Sequence, residues 1–379
     1  MLKIVTIIGA RPQIIKAAAL SRAIKNKFAD KIQEVIIHTG QHYDANMSQV
    51  FFDELGVPKP NFNLNIRLVS HGEQTGAMIT SIEKVIQQEQ PNCIVVYGDT
   101  NSTLSGAIAA SKINIPVVHI EAGLRSFNKL MPEETNRVLC DHVSTLLFCP
   151  TKTGYNNLMK EGFKEKNAAP YSINNPKIYH CGDIMYDNSI YFSEIAEQKS
   201  TILRDHELVA DEFILATIHR NTNTDDHSRL NSVFSAIKKV AETKKIKIVI
   251  PLHPRTAKQL EQLPELSKEI QSNSNIKIIP PVSFLEMICL EKNAKLVITD
   301  SGGVQKEAFF FKRPCIILRT ETEWIELVNC GAALLVDTDE SKILNAVTHF
   351  FGAHVEFPAF FGDGKAAEFI CQEMLTNIN

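Results

Sequence analysis

Short runs of β-branched and other apolar residues recur along the chain, separated by longer stretches with amphipathic, helix-like spacing. This alternation is typical of βαβ units, which build an open parallel sheet with interleaved helices. The runs in the first half are KIVTIIG from Lys3, EVIIH from Glu34, CIVVY from Cys93, PVVHI from Pro116 and LLFC from Leu146. Those in the second half are FILATIH from Phe213, IKIVIPLH from Ile246, IKII from Ile276, AKLVIT from Ala294 and PCIIL from Pro314. The pattern predicts an α/β protein with two doubly wound, Rossmann-like sheets.

The two series of strands are separated by residues 181–201, which are polar and helical in character and contain no strand-like run. At 379 residues the chain is longer than one hydrophobic core usually supports, so two domains are expected. We predict an N-terminal domain over 1–180, a linker region over 181–201 and a C-terminal domain over 202–361. Residues 362–379 read as a helix that we expect to pack back across the domain junction.

Charge and cysteine content exclude several classes of protein. The formal net charge of −3 does not favour nucleic acid or an anionic membrane as a partner, so an anionic small ligand would need local basic side chains. The eight cysteines form no CxxC pair and no metal-finger spacing, which predicts reduced thiols and no metal site. No apolar stretch reaches membrane-spanning length, and MLKIVTIIG reads as a strand instead of a targeting peptide. A cytoplasmic location is expected.

Polar side chains follow the first strand, at the edge where a parallel sheet binds its ligands. GARPQIIK places Gly9, Arg11 and Lys16 at a strand-to-helix turn. Gly9 allows a close backbone approach, and the planar guanidinium of Arg11 suits a phosphate. A plain turn with a solvated arginine is the alternative.

Carboxylates follow two further strands of the first half. YGDTNST puts Asp99 at a strand end, where it either takes part in chemistry or caps the next helix, and HIEAGLRS puts Glu121 at the equivalent position. MPEETNR adds Glu133 and Glu134. Carboxylates that converge on one sheet edge repel one another, which raises some of their pKa values and suits proton transfer.

Two arginines in the same region leave a second interpretation open. Arg125 follows Glu121 at helical spacing, and Arg137 lies in MPEETNR. With these partners the carboxylates would form a salt-bridge network.

In the second half, basic side chains stand where two strands end. TIHRNT places His219 and Arg220 after the first strand, and this position favours a functional histidine. PLHPRT gives His253 and Arg255 after the next strand, where a surface loop is nearly as good an interpretation.

The strongest local signal is ITDSGGVQKEA, in which a strand passes through Asp300 into Ser301, Gly302 and Gly303 and then opens a helix. The two glycines leave backbone N–H groups available at a helix N-terminus, which predicts a phosphate cradle, with a purely structural turn as the less favoured alternative. Glu307, one turn into the helix, is placed to accept hydrogen bonds from a ribose.

Familiar nucleotide motifs are missing from the sequence. There is no GxxxxGK[ST] loop and no GxGxxG after a strand, so ATPase and dehydrogenase activities are not favoured. No HExxH or similar cluster indicates a metal. Phosphate charge would therefore be met by Arg, Lys, His and helix dipoles, and no cofactor is expected.

The chain resembles the non-hydrolysing UDP-N-acetylglucosamine 2-epimerases along nearly its whole length. The matching segments are GARPQIIKAA, YGDTNSTLSGAIAA, HIEAGLRSFNKLMPEETNR, TDSGGVQKEA and GDGKAAE, in the family order. The resemblance implies a GT-B-like arrangement of two Rossmann-like domains with the active site in the cleft between them. It also implies UDP on the C-terminal domain, the sugar facing the N-terminal domain, and a homodimer.

The resemblance further implies a mechanism. The C2 proton of the sugar is not adjacent to a carbonyl, so loss of UDP from C1 must make it removable and give a bound glycal. UDP then adds back after protonation on the other face. This route needs acid and base groups around C2 and firm retention of UDP, and its product would serve as a precursor of surface polysaccharide.

Site residues follow from the resemblance position by position. Asp99, Glu121 and Glu133 match the acid–base carboxylates, without an assignment of which removes and which returns the proton. Lys16 matches a residue important for activity, and His219 matches the histidine associated with the leaving pyrophosphate. Arg11, Ser301, Gly302, Gly303 and Glu307 match nucleotide-binding positions. From their places in the sequence, Arg125, Arg137, His253 and Arg319 are also expected to bind the substrate.

The chain departs from many family members in three segments: TGQHYDAN from Thr39, IHRNTNT from Ile218, and RTETEWIEL from Arg319. In regulated bacterial members the first two regions help bind a second, activating UDP-sugar, so such regulation does not follow here. In the third segment Trp324 and Ile325 replace an Arg-Pro pair.

The third departure, with GQHYDAN, is similar to a branch that acts on UDP-2,3-diacetamido-2,3-dideoxyglucuronate. Its sugar carries a carboxylate, for which Arg319, Arg125 and Lys129 are candidate partners, although each is equally a salt-bridge candidate. We expect UDP-N-acetylglucosamine as the substrate, with the glucuronate as the alternative.

Other classes of protein remain as alternatives because a fold does not determine a reaction. A GT-B glycosyltransferase would bind a UDP-sugar in the same way but would need an acceptor. Hydrolysing relatives would release free N-acetylmannosamine and UDP. A non-catalytic binding module is disfavoured, because an anionic ligand would favour fewer carboxylates nearby.

Overall fold

The computed structural model of the protein describes residues 1–40, 56 and 58–378. The chain forms two compact units: unit 1 contains Met1–Asn188 and Ala359–Asn379, and unit 2 contains Ser189–Pro358. Each unit has one sheet with parallel strands and interleaved helices, which confirms the predicted α/β class. In the described part of the chain, no helix combines the length and the apolar character needed to cross a membrane.

Unit 1 contains a seven-stranded sheet in the order β3-β2-β1-β4-β5-β6-β7. Its strands are β1 (Leu2–Ile8), β2 (Ile32–His38), β3 (Phe62–Asn63), β4 (Cys93–Tyr97), β5 (Val117–Ile120), β6 (Leu146–Cys149) and β7 (Lys177–His180). The described helices up to the unit boundary are α1 (Arg11–Ala23), which continues into a π-helical turn (Ile24–Phe28), α2 (His71–Glu89), α3 (Asn101–Lys112), α4 (Pro132–His142), α5 (Lys152–Lys160) and α6 (Ile184–Lys199).

Unit 2 contains a six-stranded sheet in the order β10-β9-β8-β11-β12-β13. Its strands are β8 (Phe213–Thr217), β9 (Lys247–Pro251), β10 (Ile276–Ile279), β11 (Leu296–Thr299), β12 (Cys315–Ile317) and β13 (Ala333–Leu335). The helices that follow α6 are α7 (Ile202–Asp205), α8 (Asn221–Thr224), α9 (His227–Lys244), α10 (Pro254–Glu261), α11 (Pro264–Ser272), α12 (Phe284–Asn293), α13 (Gly302–Phe310), α14 (Ile325–Asn329), α15 (Glu340–Gly352) and, in unit 1, α16 (Ala366–Asn377).

All ten runs that the sequence predicts as strands form strands. Nine of them are internal strands, which parallel sheets cover on both faces, and β10 is an edge strand. Every residue of β4 and of β8 is buried. Strands β3, β7 and β13 were not predicted. They have only two to four residues each, and β7 (KIYH) mixes polar with apolar side chains.

Helices pack closely on these strands. In unit 1, Met78 and Ile82 of α2 and Ala107 of α3 share a core with the strands. A β-carbon placed on Gly106 of α3 would lie 2.6 Å from Cδ1 of Ile7, so the small residues of GAIAA allow the helix to approach β1. Burial of each large aliphatic side chain in such a core contributes about 1.5–3 kcal/mol.

The strand order places the polar turns together. In each sheet the order reverses once, between β1 and β4 in unit 1 and between β8 and β11 in unit 2. At such a point the connections leave toward opposite faces and open a crevice at the carboxyl ends of the strands. The turns after β1 and β4, and those after β8 and β11, are therefore neighbours.

The boundary between the units falls after Asn188, inside α6 and inside the segment predicted as a linker. The chain returns to unit 1 at Ala359. There the amide of Asp183 donates to the carbonyl of Phe361 at 3.0 Å. The buried carboxylate of Asp187 accepts from the amides of Ala366 at 3.1 Å and Ala367 at 2.8 Å, so it holds the first turn of α16, which packs against α1.

Candidate active site

A buried glutamine builds the turn between β1 and α1. Oε1 of Gln13 accepts from the amides of Gly9 at 2.9 Å and Ala10 at 3.1 Å, and its Nε2 donates to the carbonyl of Tyr97 at 3.1 Å. The side chain thus ties the turn to the end of β4. Sequence analysis did not identify Gln13, although it lies within the GARPQIIK segment.

The close approach predicted at Gly9 is made by two side chains of the protein. A β-carbon on Gly9 would lie 2.1 Å from the hydroxyl oxygens of both Ser102 and Thr39, which hydrogen-bond to each other at 2.8 Å. Gly9 is therefore required for packing in this turn. Arg11 begins α1 and is exposed.

Lys16 and Glu121 form an ion pair at this edge of the sheet. Nζ of Lys16 contacts Oε2 of Glu121, and only 13% and 10% of the two side chains are exposed. A β-carbon on Gly98, at the end of β4, would lie 3.1 Å from both of these atoms. The structure therefore brings the turns after β1, β4 and β5 together around this pair.

Glu121 has a left-handed backbone conformation, with φ of +74°. A residue with a β-carbon pays about 1–2 kcal/mol for this conformation. The amides of Glu121 and Ala122 both donate to the carbonyl of Phe148 at 3.0 Å, and these bonds hold the turn. Strained backbone of this kind concentrates at functional sites.

Asp99 pairs with Arg137. Oδ2 of Asp99 accepts from Nη2 of Arg137 at 2.5 Å, and 30% of the Asp99 side chain is exposed. The interpretation that Asp99 caps the next helix is wrong, because the hydroxyl of Thr100 accepts from the amide of Thr103 and caps α3. The carboxylate of Asp99 thus pairs with Arg137 and has no capping role.

Glu134 supports the same arginine from inside the protein. It binds Nη1 of Arg137 at 2.9 Å and accepts from the amide and hydroxyl of Ser126 and from the amide of Phe127. Burial alone would raise the pKa of Glu134, but Ser126 and Arg137 lower it below its usual value. Glu133, the preceding residue of α4, is exposed and lies outside this hydrogen-bonded network of described residues.

Arg125 belongs to a separate polar cluster, in which Arg125, Asp141 and His119 are buried and Glu161 is exposed. Its guanidinium binds Asp141 at 2.7 Å and Glu161 at 2.6 Å, which favours the salt-bridge interpretation of this residue. Asp141 also pairs with Nδ1 of His119 at 2.7 Å, and Nε2 of His119 contacts the carbonyl oxygen of Gly98 at 2.8 Å. Burial would raise the pKa of Asp141, yet His119 and Arg125 hold it below its usual value.

This cluster supports the Gly98 turn beneath the Lys16–Glu121 pair. Neither His119 nor Asp141 stands out in the sequence, because His119 is the one polar residue of an apolar strand and Asp141 is one of several charged residues in α4. A charged side chain in such a place needs a partner, which is the one signal that the sequence offers.

In unit 2, Asp300 organises the turn after β8. Its fully buried carboxylate accepts from the amides of His219 at 3.1 Å and Arg220 at 3.0 Å and from Nδ2 of Asn223 at 3.1 Å. Nδ1 of His219 lies 3.4 Å from Oδ1 of the same carboxylate. Asp300 therefore fixes the backbone of His219 and lies beside its ring.

His253 lies beside His219, with ring centroids 5.7 Å apart. Its Nδ1 accepts from the amide of Arg255 at 3.2 Å, so His253 caps α10. Burial lowers the pKa of His253, and the charges of His219 and Arg255 lower it further, which favours a neutral ring at pH 7.

The segment predicted as a phosphate cradle is the N-terminus of α13. The hydroxyl of Ser301 caps the helix by accepting from the amide of Val304 at 3.4 Å. A β-carbon on Gly302 would lie 3.7 Å from Nη1 of Arg319 and 3.8 Å from Nη2 of Arg220. Two guanidinium groups thus flank the first amides of the helix, an arrangement that suits a diphosphate.

Two carboxylates complete the surroundings of this cradle. Oε2 of Glu323 binds Nη1 of Arg319 at 2.8 Å. Burial would raise the pKa of Glu323, but Arg319 and Arg220 lower it, so the group is ionised and orients the arginines. Glu307 lies one turn into α13, where its Oε2 would be 3.9 Å from a β-carbon on Gly303.

Some residues considered in the sequence do not belong to the polar groups described above for unit 1 and unit 2. Lys129 is exposed. Within the described ranges no cluster of His, Cys, Asp and Glu is suited to a metal ion. Most of the TGQHYDAN segment lies outside the described residues.

Residues 24–375 match the family described as UDP-N-acetylglucosamine 2-epimerase. A UDP-2,3-diacetamido-2,3-dideoxy-D-glucuronate 2-epimerase of Pseudomonas aeruginosa is 47% identical, over 98% of this chain and 99% of the relative. A UDP-N-acetylglucosamine 2-epimerase homolog of Methanococcus maripaludis is also 47% identical and is covered completely, as is this chain.

Among solved structures, the UDP-GlcNAc 2-epimerase of Methanocaldococcus jannaschii in complex with UDP-GlcNAc and UDP is similar to this chain. The sequences are 43% identical, the TM-score is 0.83, and 99% of each chain is covered. The likeness confirms the GT-B-like fold and the resemblance found in the sequence motifs. The chain belongs to the UDP-N-acetylglucosamine 2-epimerase family, whose members are isomerases that act on nucleotide-linked sugars.

Proposed function

We propose that this protein interconverts UDP-N-acetylglucosamine and UDP-N-acetylmannosamine by elimination and re-addition of UDP. One observation carries the proposal: Asp99 and Glu121 follow two neighbouring strands, and each is paired with its own cation, Arg137 or Lys16. Two carboxylates at one sheet edge suit the removal of a proton from one face of C2 and its return to the other.

The reaction balances without any additional reagent. A carboxylate takes the C2 proton, the C–H electron pair forms the C1–C2 double bond, and the C1–oxygen bond breaks to release UDP. In the re-addition that follows, a carboxylic acid protonates C2 on the opposite face, and an oxygen of UDP forms the new bond to C1. Asp99, Glu121 and Glu133 are the proposed acid–base groups, with Glu133 resting on the family resemblance alone.

Retention of UDP is assigned to unit 2. The amides of Gly302 and Gly303, with the arginines 220 and 319, supply positive charge for the diphosphate, and Ser301 and Glu307 lie beside them. His219 is proposed to assist departure of the pyrophosphate oxygen, since Asp300 holds its backbone and lies beside its ring. Unit 1 is then the sugar-binding unit.

Three further proposals rest on the resemblance. The protein is a homodimer, it works in the cytoplasm, and its product feeds the synthesis of a surface polysaccharide. A matched pair of measurements, sedimentation of the purified protein and fractionation of its source cells, tests the first two.

A second candidate substrate is UDP-2,3-diacetamido-2,3-dideoxyglucuronate. It is favoured by the name of the Pseudomonas aeruginosa relative and by the Trp324 segment. Of the three cations considered for the sugar carboxylate, Arg125 and Arg319 are ion-paired within the protein, and Lys129 is exposed. Lys129 is therefore the first residue to test for this substrate.

Proton NMR in D2O tests the proposal. The purified protein is incubated in separate tubes with each UDP-sugar, and deuterium at C2 is followed together with the gluco-to-manno ratio. Exchange in the tube with UDP-N-acetylglucosamine supports the proposed substrate. Exchange only in the tube with UDP-2,3-diacetamido-2,3-dideoxyglucuronate supports the second candidate. Free N-acetylmannosamine would indicate a hydrolysing enzyme, and no exchange in either tube would reject the epimerase and favour a glycosyltransferase.

A further inference from the structure

Trp324, the single tryptophan of the chain, is almost fully buried beside the N-terminus of α13. Its indole Nε1–H donates to the carbonyl oxygen of Gly302 at 3.0 Å. On the ring, Nζ of the buried Lys306 lies 4.3 Å from the centroid, a distance at which a cation is attracted to an aromatic face. The first and second turns of α13 thus both contact this side chain.

The acceptor of the indole bond is part of the phosphate cradle. The carbonyl of Gly302 and the N–H of Gly303 belong to one planar peptide group, so fixing the carbonyl also fixes the direction of the N–H. A donor on the carbonyl also polarises the peptide and strengthens the N–H as a donor. Because glycine has wide backbone freedom, such an external contact restricts the conformation of a Gly-Gly turn more than that of a turn of other residues.

The segment that carries Trp324 is itself held to α13. The hydroxyl of Thr322 donates to Oε1 of Gln305 at 2.7 Å, and the amide of Trp324 donates to that hydroxyl at 3.1 Å. The neighbouring Glu323 binds Arg319. These contacts hold the segment in place, and the segment positions the indole against Gly302.

We infer that Trp324 is a positioning residue for the diphosphate, because its indole N–H aims the Gly303 amide at the anion. This role rests on the proposed nucleotide site of unit 2. Trp324 itself need not touch the substrate. Its effect is expected on the phosphates and not on the nucleoside.

A one-atom exchange tests this role, since every tryptophan analogue enters this chain at position 324 alone. In a tryptophan auxotroph the residue is replaced by 3-benzothienylalanine, which has sulfur in place of the N–H. The matched control carries 5-fluorotryptophan, which keeps the N–H. Binding of UDP is measured by calorimetry and binding of uridine by ligand-observed NMR, and thermal midpoints are compared.

Loss of the N–H is expected to weaken UDP binding about fivefold, the factor that corresponds to one hydrogen bond of ~1 kcal/mol. Uridine affinity should be unchanged, and the control should bind UDP as the native protein does. Equal UDP affinity in the two substituted proteins would overturn the inference. An equal loss for UDP and uridine would also overturn it, because Trp324 would then only shape the fold.

The unsubstituted protein gives a second measurement. Saturation with UDP should change the fluorescence of Trp324, and uridine should change it less. Equal responses would contradict a phosphate-directed role. If the native protein binds no UDP, the proposed nucleotide site itself fails, an outcome distinct from native binding that is insensitive to the analogue.

Discussion

Replacement of Asp300 by Asn tests whether a buried carboxylate holds the turn after β8 in unit 2. The side chain is fully buried and accepts from two backbone amides and from Nδ2 of Asn223, all at 3.0–3.1 Å. Asn keeps the shape of Asp but offers one oxygen and one NH2 group. The NH2 group must then face a backbone N–H.

The expected cost follows from these contacts. Hydrogen bonds to a charged group contribute about 1.5–3 kcal/mol and neutral ones about 1 kcal/mol, so weakening three of them removes about 3 kcal/mol. The clash of two donors adds to this loss, and relief of the buried charge offsets part of it. We expect the free energy of unfolding of unit 2 to fall by about 3 kcal/mol. Because His219 loses its anchor, kcat/KM should fall by about 100-fold.

Urea denaturation followed by the fluorescence of Trp324 measures the stability of unit 2, and the NMR assay measures turnover. Asp337→Asn is the matched control, since it makes the same change in the same unit at a partly exposed carboxylate that pairs with Arg229. It should cost under about 1 kcal/mol. If Asp300→Asn costs no more than this control and retains native kcat/KM, the role assigned to Asp300 is refuted.

Four other substitutions probe unit 1. Asp99→Asn and Glu121→Gln should each lower kcat by at least about 100-fold with UDP affinity retained, because these groups handle the proton, and normal turnover in both variants would reject the assignment. Gly9→Ala should lower the free energy of unfolding by about 2–3 kcal/mol, since its β-carbon would lie 2.1 Å from two hydroxyl oxygens. The control is Gly72→Ala, whose β-carbon would have no atom within 4 Å. Equal thermal midpoints for the two variants would contradict the packing argument. Burial raises the pKa of Asp187 from 3.8 to about 6. The contribution of this group to the free energy of unfolding is therefore complete below pH 4 and is lost as the pH rises through 6, by up to about 3 kcal/mol. Asp187→Asn should remove this pH dependence, and parallel curves of stability against pH for the two proteins would argue against the role of Asp187.

The central part of the fold is predictable from the sequence because central strands of parallel sheets are apolar on both faces. CIVVY predicts both ends of β4 correctly. The two residues of β3 are too few to show an alternation of apolar and polar residues that would distinguish a strand from a loop. Positions of Asp99, Glu121 and the DSGG turn also follow from sequence, since ligand groups in this class of fold lie where strands end.

The partners of these groups are not predictable in the same way. Asp141 binds His119 across 22 residues, and Asp300 binds the His219 amide across 81 residues. Such bonds depend on which strands become neighbours, and a local pattern does not contain that information. For the same reason Glu134 and Glu133 look alike in the sequence, although one is a buried support and the other is exposed.

The division of the chain has a consequence for biosynthesis. Unit 2 is inserted into unit 1, and residues 359–378 close unit 1 through the contacts of Phe361 with Asp183 and of the first turn of α16 with Asp187. On the ribosome, every residue of unit 2 therefore emerges before the segment that completes unit 1. The carboxylates of the N-terminal sheet, although translated first, belong to the unit that is finished last, so a nascent chain completes the unit with the proposed nucleotide site before the unit with the proposed acid–base groups.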